Sequence, residues 1–377
     1  MSHRYYFDWA ATAIPVYTPV DTPWGNPSSL HSEGRAAHTA LEDARRRCAA
    51  VLNVPSERLF FTSGATESNN IVLSSFLLRQ QNTPLLYSAI EHSSIRETAA
   101  LLKVYGKQMG IIGVEQDGRI SRTTVIRAFE KYQRSRFAAI MAVNNEVGSI
   151  MDMADLVRAI REYAAVPVHI HSDIVQAVGK IPVALSEWDI DSAVLSAHKI
   201  GGPRGIGLLY LRKPLEVLFR GGGQEQHIRP GTENVAGAVA LAACLEQYVY
   251  PETLKNNYEQ AVSRNAYLIS FLKTIPRCSL IPADRQAIDP RFSPYILHVA
   301  FEGIPGEVLV RALDDAGFAV STGSACSVTR QERPVLAAMG INNHLTVEGI
   351  RISQGWLTTK EDIEALCTAL QKLLYFL

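Results

Sequence analysis

The stretch Leu195-Ser-Ala-His-Lys199-Ile-Gly-Gly-Pro-Arg-Gly-Ile-Gly207 places one lysine between a small polar cluster and a run of glycines. It follows the apolar run Ala193-Val194-Leu195, so Lys199 is expected at the end of a buried strand. Desolvation there lowers an amine's pKa and frees it for carbonyl chemistry. Another strand-like run, Val166 to Ile170, ends in His171-Ser-Asp173 and continues to Gln176. Outward from these two runs the chain alternates strand-like and helix-period segments. Further strands are expected at Leu59–Thr62, Leu85–Ser88, Phe137–Val143 and Gly207–Tyr210, with helices over Arg35–Leu52, from Thr66, and over Ala154–Tyr163. Such alternation predicts a mostly parallel sheet covered by helices on both faces, with ligands at the carboxyl ends of its strands.

A carboxylate at one strand end and a lysine at another are what pyridoxal phosphate requires. The acid pairs with the ring nitrogen and the lysine carries the aldehyde. An ordinary Lys-Asp ion pair at a sheet edge is the alternative for these two residues alone. Ser63-Gly-Ala65-Thr66 follows a strand and opens a helix, where amides and a hydroxyl can hold a phosphate, although a plain N-cap has the same composition. Ser196 and His198 could add phosphate hydrogen bonds. Glu91-His92 lies past another strand end, and its imidazole suits stacking on a flat heteroaromatic ring. Asn144-Asn145 follows the strand ending at Val143, where an amide could meet a ring oxygen or a carboxylate.

The bulk composition narrows the function classes. The 377 residues carry 37 basic and 37 acidic side chains, and this zero balance gives no reason to expect nucleic acid or an anionic membrane surface as partner. Apolar residues make up 47%, as in globular proteins. No run approaches the length of a membrane span and no early stretch reads as a signal peptide, so a soluble, cytoplasmic protein is expected. The five cysteines, Cys48, Cys244, Cys278, Cys326 and Cys367, lack any C-x-x-C pairing, which argues against a disulfide framework and a zinc site. Three sit in helical patterns as small core residues. Cys326 instead lies in Ser321-Thr-Gly-Ser-Ala-Cys-Ser327, a run of small polar residues.

After Gly221-Gly-Gly223 the pattern changes to two long helices, Thr232 to about Tyr248 and Pro251 to about Ile275. A smaller α/β unit follows, with strands near Ile296–Phe301, Phe318–Ser321 and Gly349–Ser353 and a closing helix over Lys360–Leu374. The expected division is a large domain at 13–250 and a small one made of 1–12 and 251–377, packed tightly in the absence of a linker.

Taken together, the chain resembles the NifS/IscS-type cysteine desulfurases of the class V, fold-type I group of pyridoxal phosphate enzymes. The resemblance rests on Asp8-Trp-Ala-Ala-Thr12, Gly25-Asn-Pro-Ser-Ser-Leu-His31, Thr62-Ser-Gly-Ala-Thr-Glu-Ser68, Glu91-His92, Val143-Asn-Asn-Glu-Val-Gly148 and Asp173-Ile-Val-Gln176. It continues through Ser196-Ala-His-Lys199, Arg229-Pro-Gly-Thr232-Glu-Asn-Val235, Gly323-Ser-Ala-Cys326 and Ile350-Arg351-Ile-Ser353. It implies an α/β fold-type I transferase with a seven-stranded, mostly parallel sheet and a smaller carboxy-terminal domain.

The resemblance also assigns roles. Lys199 would bind the cofactor aldehyde, Asp173 the pyridinium nitrogen and Gln176 the ring hydroxyl oxygen, with His92 stacked on the ring. Ala65, Thr66, Ser196 and His198 would hold the phosphate, joined by Thr232 of a neighbouring subunit in a homodimer. Asn145 and Arg351 would bind the substrate carboxylate, with Asn26 nearby, and Asn145 would also border the cofactor. A planar guanidinium fork matches a carboxylate bidentately. Lys199, His92 and Cys326 would be the catalytic residues, with Cys326 taking sulfur from L-cysteine as a persulfide for an acceptor such as an iron-sulfur scaffold. Selenocysteine lyase and a non-catalytic protein docking on a sulfur-transfer scaffold are the competing readings. The chain departs from the family pattern in a shorter span between Asp8 and Asn26, which leaves the first helix of the large domain reduced or absent. It departs again in a shorter, more charged segment after Cys326 and in Trp356, where the family often has arginine.

Overall fold

The computed structural model describes residues 4–17, 21–79, 83–323 and 333–376. A two-residue strand, β1 (Tyr5–Tyr6), opens it. Seven strands then build the main sheet: β2 (Leu59–Thr62), β3 (Leu85–Ser88), β4 (Met109–Ile112), β5 (Phe137–Ala139), β6 (His169–Asp173), β7 (Ser192–Ser196) and β8 (Gly207–Leu211). Their order is β2-β8-β7-β6-β5-β3-β4, and only β8 runs against its neighbours. Because β8 is antiparallel to both β2 and β7, those two are parallel to each other. The ends at Thr62, Ser88, Ala139, Asp173 and Ser196 therefore share one edge of the sheet.

β5 and β7 are buried at every residue, and β6 at all but its first, as expected of central strands covered on both faces. The helices that cover them begin with side-chain caps. His31 accepts from Gly34 N–H at the start of Ser32–Leu52, and His92 accepts from Ser94 N–H at the start of Ser93–Val104. Asp152 and Asn234 cap Met153–Tyr163 and Val235–Val249. Pro251 opens the next helix, Pro251–Leu272, at a position where its missing N–H costs nothing. Among the described residues no helix precedes Ser32, in line with the short span between Asp8 and Asn26.

The second, three-stranded sheet is antiparallel and contains β9 (Cys278–Ile281), β10 (Ile296–Phe301) and β12 (Gly349–Ser353), with β10 in the middle. β11 (Phe318–Ala319) pairs in parallel with β1. Phe7 is buried with Leu297, Val299, Ile350 and the closing helix Lys360–Phe376, so the first residues of the chain belong to the core formed by its last third. Ile281, Ala300, Val335 and Leu336 join the large core under the main sheet, which makes the two sheets parts of one packed body.

Trp356 has a place in this packing. Its ring stacks on Tyr248 at 4.0 Å between centroids and meets Trp9 edge-on at 5.8 Å, while Nε1 donates to the Gly179 carbonyl at 3.2 Å. It closes the seam between the helix Val235–Val249 and the amino-terminal segment with an apolar plug.

Candidate active site

The shared strand ends open into a cavity of about 810 Å³ lined by Ala10–Thr12, Ser63–Glu67, Glu91–Ser93, Asn145, Asp173, Gln176, Ser196, His198, Lys199 and Arg351, among others. Two glycines shape its floor. Gly64 sits at φ +152°, ψ 176°, a conformation essentially confined to glycine, and caps the helix Ala65–Ser75. A Cβ at Gly207 would stand 2.5 Å from the Gly64 Cα, so the turn lies directly on the first residue of β8. The first-turn amides of Ala65–Ser75 are thereby held at the cavity beside Ser196, whose Oγ would lie 3.4 Å from a Cβ on Gly64.

Lys199 leaves the end of β7 in a single turn of 3₁₀ helix, Ala197–Lys199. It is half-buried rather than enclosed, and its Nζ donates to the carbonyls of Ala10 and Ala11, both at 2.7 Å. The fully buried lysine is its neighbour Lys180, whose Nζ donates to Gln176 Oε1 at 2.8 Å. Burial pulls the Lys180 pKa down to about 7. Gln176 passes the contact on, its Nε2 donating to the Ala10 carbonyl at 2.9 Å. A lysine offers only donors, so it turns the amide oxygen inward and the amide nitrogen toward the cavity side.

Asp173 ends β6, one strand over from Lys199. Oδ1 accepts from the Val175 N–H at 3.0 Å and Oδ2 from Asn69 Nδ2 at 3.2 Å, so both carboxylate oxygens have donors. His92 borders the cavity, its pKa lowered mainly by burial, with Asp173 opposing that shift. His198 meets Thr12 Oγ1 at 3.1 Å, and burial lowers its pKa to about 4.

The substrate side is built differently. Arg351 is buried on β12, and Nη1 donates to the Asn145 and Gly323 carbonyls at 2.9 and 3.1 Å. Nη2 pairs with Asp8 at 2.7 Å, while Nε is buried without a partner among the described residues. Two other groups lining the cavity, Glu91 Oε2 beside His92 and Glu146 Oε2, are also buried and unpartnered among the described residues. Desolvation raises both acids, Glu91 to about 8. Glu91 is held from the other oxygen, Oε1 accepting from Ser88 Oγ at 2.6 Å and Met141 N–H at 2.8 Å.

The structure thus brings Ala65, Thr66, His92, Asn145, Asp173, Gln176, Ser196, His198, Lys199 and Arg351 around one cavity. Asn26 and Thr232 stay apart from it. Both are exposed, and Asn26 spends its side-chain oxygen on the Ser28 N–H at 2.9 Å. Cys326 lies outside the described residues. Asp8, Asn69, Glu91 and Lys180 went unassigned in the sequence. Glu67 did too: its carboxylate accepts from the Ser63 N–H and pairs with Arg229 at 3.1 Å, tying Arg229-Pro-Gly-Thr232 to the turn at Gly64. Asp8 and Glu67 lie inside stretches shared with the family, which was the available signal; Asn69 and Lys180 offered none beyond their neighbours.

The lysine, the doubly held carboxylate on the adjacent strand and the helix start at the same edge form a donor set that fits pyridoxal phosphate. The aminotransferase class-V family model matches residues 17–366. The chain belongs to that family, in its cysteine desulfurase branch. It is 33% identical to the cysteine desulfurase IscS of Dictyoglomus turgidum over 99% of this chain and 95% of that one. Among solved structures it is similar to a NifS-like protein, with a TM-score of 0.88, 31% identity and complete coverage of both chains. It is also similar to SspA in complex with cysteine, with a TM-score of 0.78, 27% identity and coverage of 94% and 100%. Members of this family use pyridoxal phosphate, as the sequence reading anticipated.

Proposed function

We propose that the chain converts L-cysteine to L-alanine and hands the sulfur, as a persulfide on Cys326, to an acceptor protein such as an iron-sulfur scaffold. The observation that carries this reading is the placement of Lys199 and Asp173 at the ends of adjacent parallel strands, facing one cavity, in a member of the cysteine desulfurase branch. When bound, pyridoxal phosphate supplies an electrophilic aldehyde and an electron-withdrawing ring.

The protein's own groups do the rest. Thr66, Ser196 and His198, with the first amides of Ala65–Ser75, would hold the phosphate, and Thr232 of a second copy would complete it in a homodimer. Asp173, held by two donors, would keep a proton on the ring nitrogen. Gln176, its amide turned by Lys180, would donate to the ring oxygen. Lys199 Nζ would take the proton from the substrate Cα, because its two carbonyl partners leave the amine within reach of the cavity. Arg351 Nε, buried and unpartnered, would meet the substrate carboxylate beside Asn145. Cys326 Sγ would accept the substrate sulfur, and alanine would leave. We place the reaction in the cytoplasm, consistent with helices none of which is long and apolar enough to cross a membrane among the described residues.

The test compares wild type with Lys199→Ala and Cys326→Ala, following alanine, sulfide and the visible band. The first variant is expected to lose the cofactor-lysine band and about a thousandfold or more in alanine formation. The second should keep the band and lose persulfide. Full activity on cysteine in Cys326→Ala would sink the sulfur-relay role. A protein that stays colourless after incubation with pyridoxal phosphate would sink the whole reading.

A further inference from the structure

Behind Asp173 and His92 lies a continuous line of hydrogen bonds, buried in its middle and part-buried at its two ends, whose members beyond Asp173 and His92 have no assigned role. His169 Nε2 and His171 Nδ1 both meet Ser192 Oγ, at 2.8 and 2.7 Å. His171 Nε2 meets Asn69 Oδ1 at 2.8 Å. Asn69 Nδ2 reaches Asp173 Oδ2 at 3.2 Å and Ser94 Oγ at 2.8 Å, and Ser94 Oγ meets His92 Nδ1 at 2.9 Å. Asn69, Ser192 and His171 are at most 1% exposed.

Two fixed points determine every proton on this line. The backbone N–H of Ser94 donates to His92 Nδ1 at 3.2 Å, so that nitrogen is an acceptor and the ring proton sits on Nε2. Ser94 Oγ must then donate to Nδ1 and accept from Asn69 Nδ2. The Asp173 carboxylate, the second fixed point, also demands a donor, which again turns Nδ2 toward the site and Oδ1 toward His171. His171 Nε2 therefore carries a proton. Both of its nitrogens meet neutral groups and no carboxylate touches the ring, and burial lowers its pKa to about 3. The neutral ring takes its Nδ1 contact from the Ser192 hydroxyl, which accepts in turn from His169 Nε2. No donor faces a donor anywhere along the line.

We propose that Asn69 is a positioning residue for this reaction. Its one amide holds the Asp173 carboxylate and orients the Ser94 hydroxyl as a second donor to the His92 Nδ1 that the Ser94 N–H already makes an acceptor, while His171 fixes which way the amide faces. The consequence concerns two contacts of the ring system at once: the acid that would pair with the ring nitrogen and the imidazole that would stack on the ring share one amide group. The inference rests on the proposed function, since it assigns that site its ring.

The experiment uses the holoenzyme with histidine labelled by nitrogen-15, reading the tautomers of His92 and His171 from their nitrogen shifts beside the affinity for pyridoxal phosphate. In wild type both rings are expected to be neutral with the proton on Nε2. Asn69→Ala should keep the His92 proton on Nε2 but move its Nδ1 shift, because Ser94 Oγ loses the donor that orients it, and should weaken cofactor binding by about tenfold or more, the usual effect of losing a hydrogen bond to a charged group. His171→Gln keeps a donor facing Asn69 and should stay within about threefold of wild type, whereas His171→Leu lets the amide turn and should resemble Asn69→Ala. Cooperative thermal unfolding checks that each variant is folded. A wild-type His92 protonated on Nδ1 would overturn the proposal without any variant. So would a folded Asn69→Ala with unchanged affinity and His92 shifts, or a His171→Gln as impaired as His171→Leu. Failure to take up pyridoxal phosphate would count against the proposed function instead, and the two tautomers remain readable in that case.

Discussion

The two halves of the cavity are finished to different degrees. On the cofactor side, from Asp173 through Asn69 to His171, each polar atom named above has a partner of the right kind. On the substrate side, Arg351 Nε and Glu146 Oε2 are buried and unpartnered among the described residues, and Arg351 is shared among Asp8 and two carbonyls. Buried unpaired polar atoms are costly, so they mark where a structure awaits something. The contrast teaches that this protein preorganises the group it keeps and leaves open the place for the molecule it turns over.

The largest expected effect attacks the finished half. Asp173→Asn must set an amide nitrogen against either the Val175 N–H or the Asn69 amide, and it removes the charge from the ring position. Alanine formation should fall by about a hundredfold or more with the cofactor still bound, measured by single-turnover kinetics. A loss smaller than tenfold would mean that the wired side is only structural. Next, Arg351→Lys keeps the charge but removes the fork. The KM for cysteine should rise by about tenfold with kcat less affected, which steady-state rates will show. An equal fall in kcat alone would place Arg351 with the finished half.

A smaller effect is expected at Lys180, which lies beneath both halves. Its pKa is about 7 folded and 10.5 when free. Between those values the unfolded chain holds a proton that the folded chain lacks, so this group makes stability rise as pH rises from about 7 to 10.5, by at most about 1.4 kcal/mol per pH unit. Urea unfolding of Lys180→Met should lack that rise and show higher stability than wild type at neutral pH and below. The smallest effect belongs to Trp356, outside the comparison. Trp356→Leu should cost about 1 kcal/mol of stability from its stacked and edge-on contacts while leaving cysteine turnover unchanged.

The sequence exposed the residues that end strands, because strand ends are marked by a change from apolar runs to small polar residues. Lys199, Asp173, His92 and Thr66 were all legible in that way. It hid the strand Met109–Ile112, an edge strand whose Ile111 is exposed and whose Gly110 lies under Tyr132, so that no alternation reports it. Cys278–Ile281 was equally silent, being half-buried at its start. Asn69 and Asp8 were hidden for a different reason. Each acts on a partner 104 or 343 residues away, and periodicity carries no information at such separations. The resemblance to a family named the chemistry, yet it was geometry that found what holds Asp173 in place.

The pairing of β1 with β11, and of Asp8 with Arg351, also has a consequence during synthesis. Asp8, in the segment that supplies the Ala10 and Ala11 carbonyls, is synthesised 343 residues before its partner Arg351. Until then Phe7 lacks its packing against Ile350 and Ile352, Trp9 lacks its contact with Trp356, and the carbonyls that meet Lys199 are not anchored by them. Contacts of such long range form late and slowly. The reactive amine is thus held in place only after Arg351 has been made, so a chain truncated before that residue would carry the lysine without the architecture that holds it.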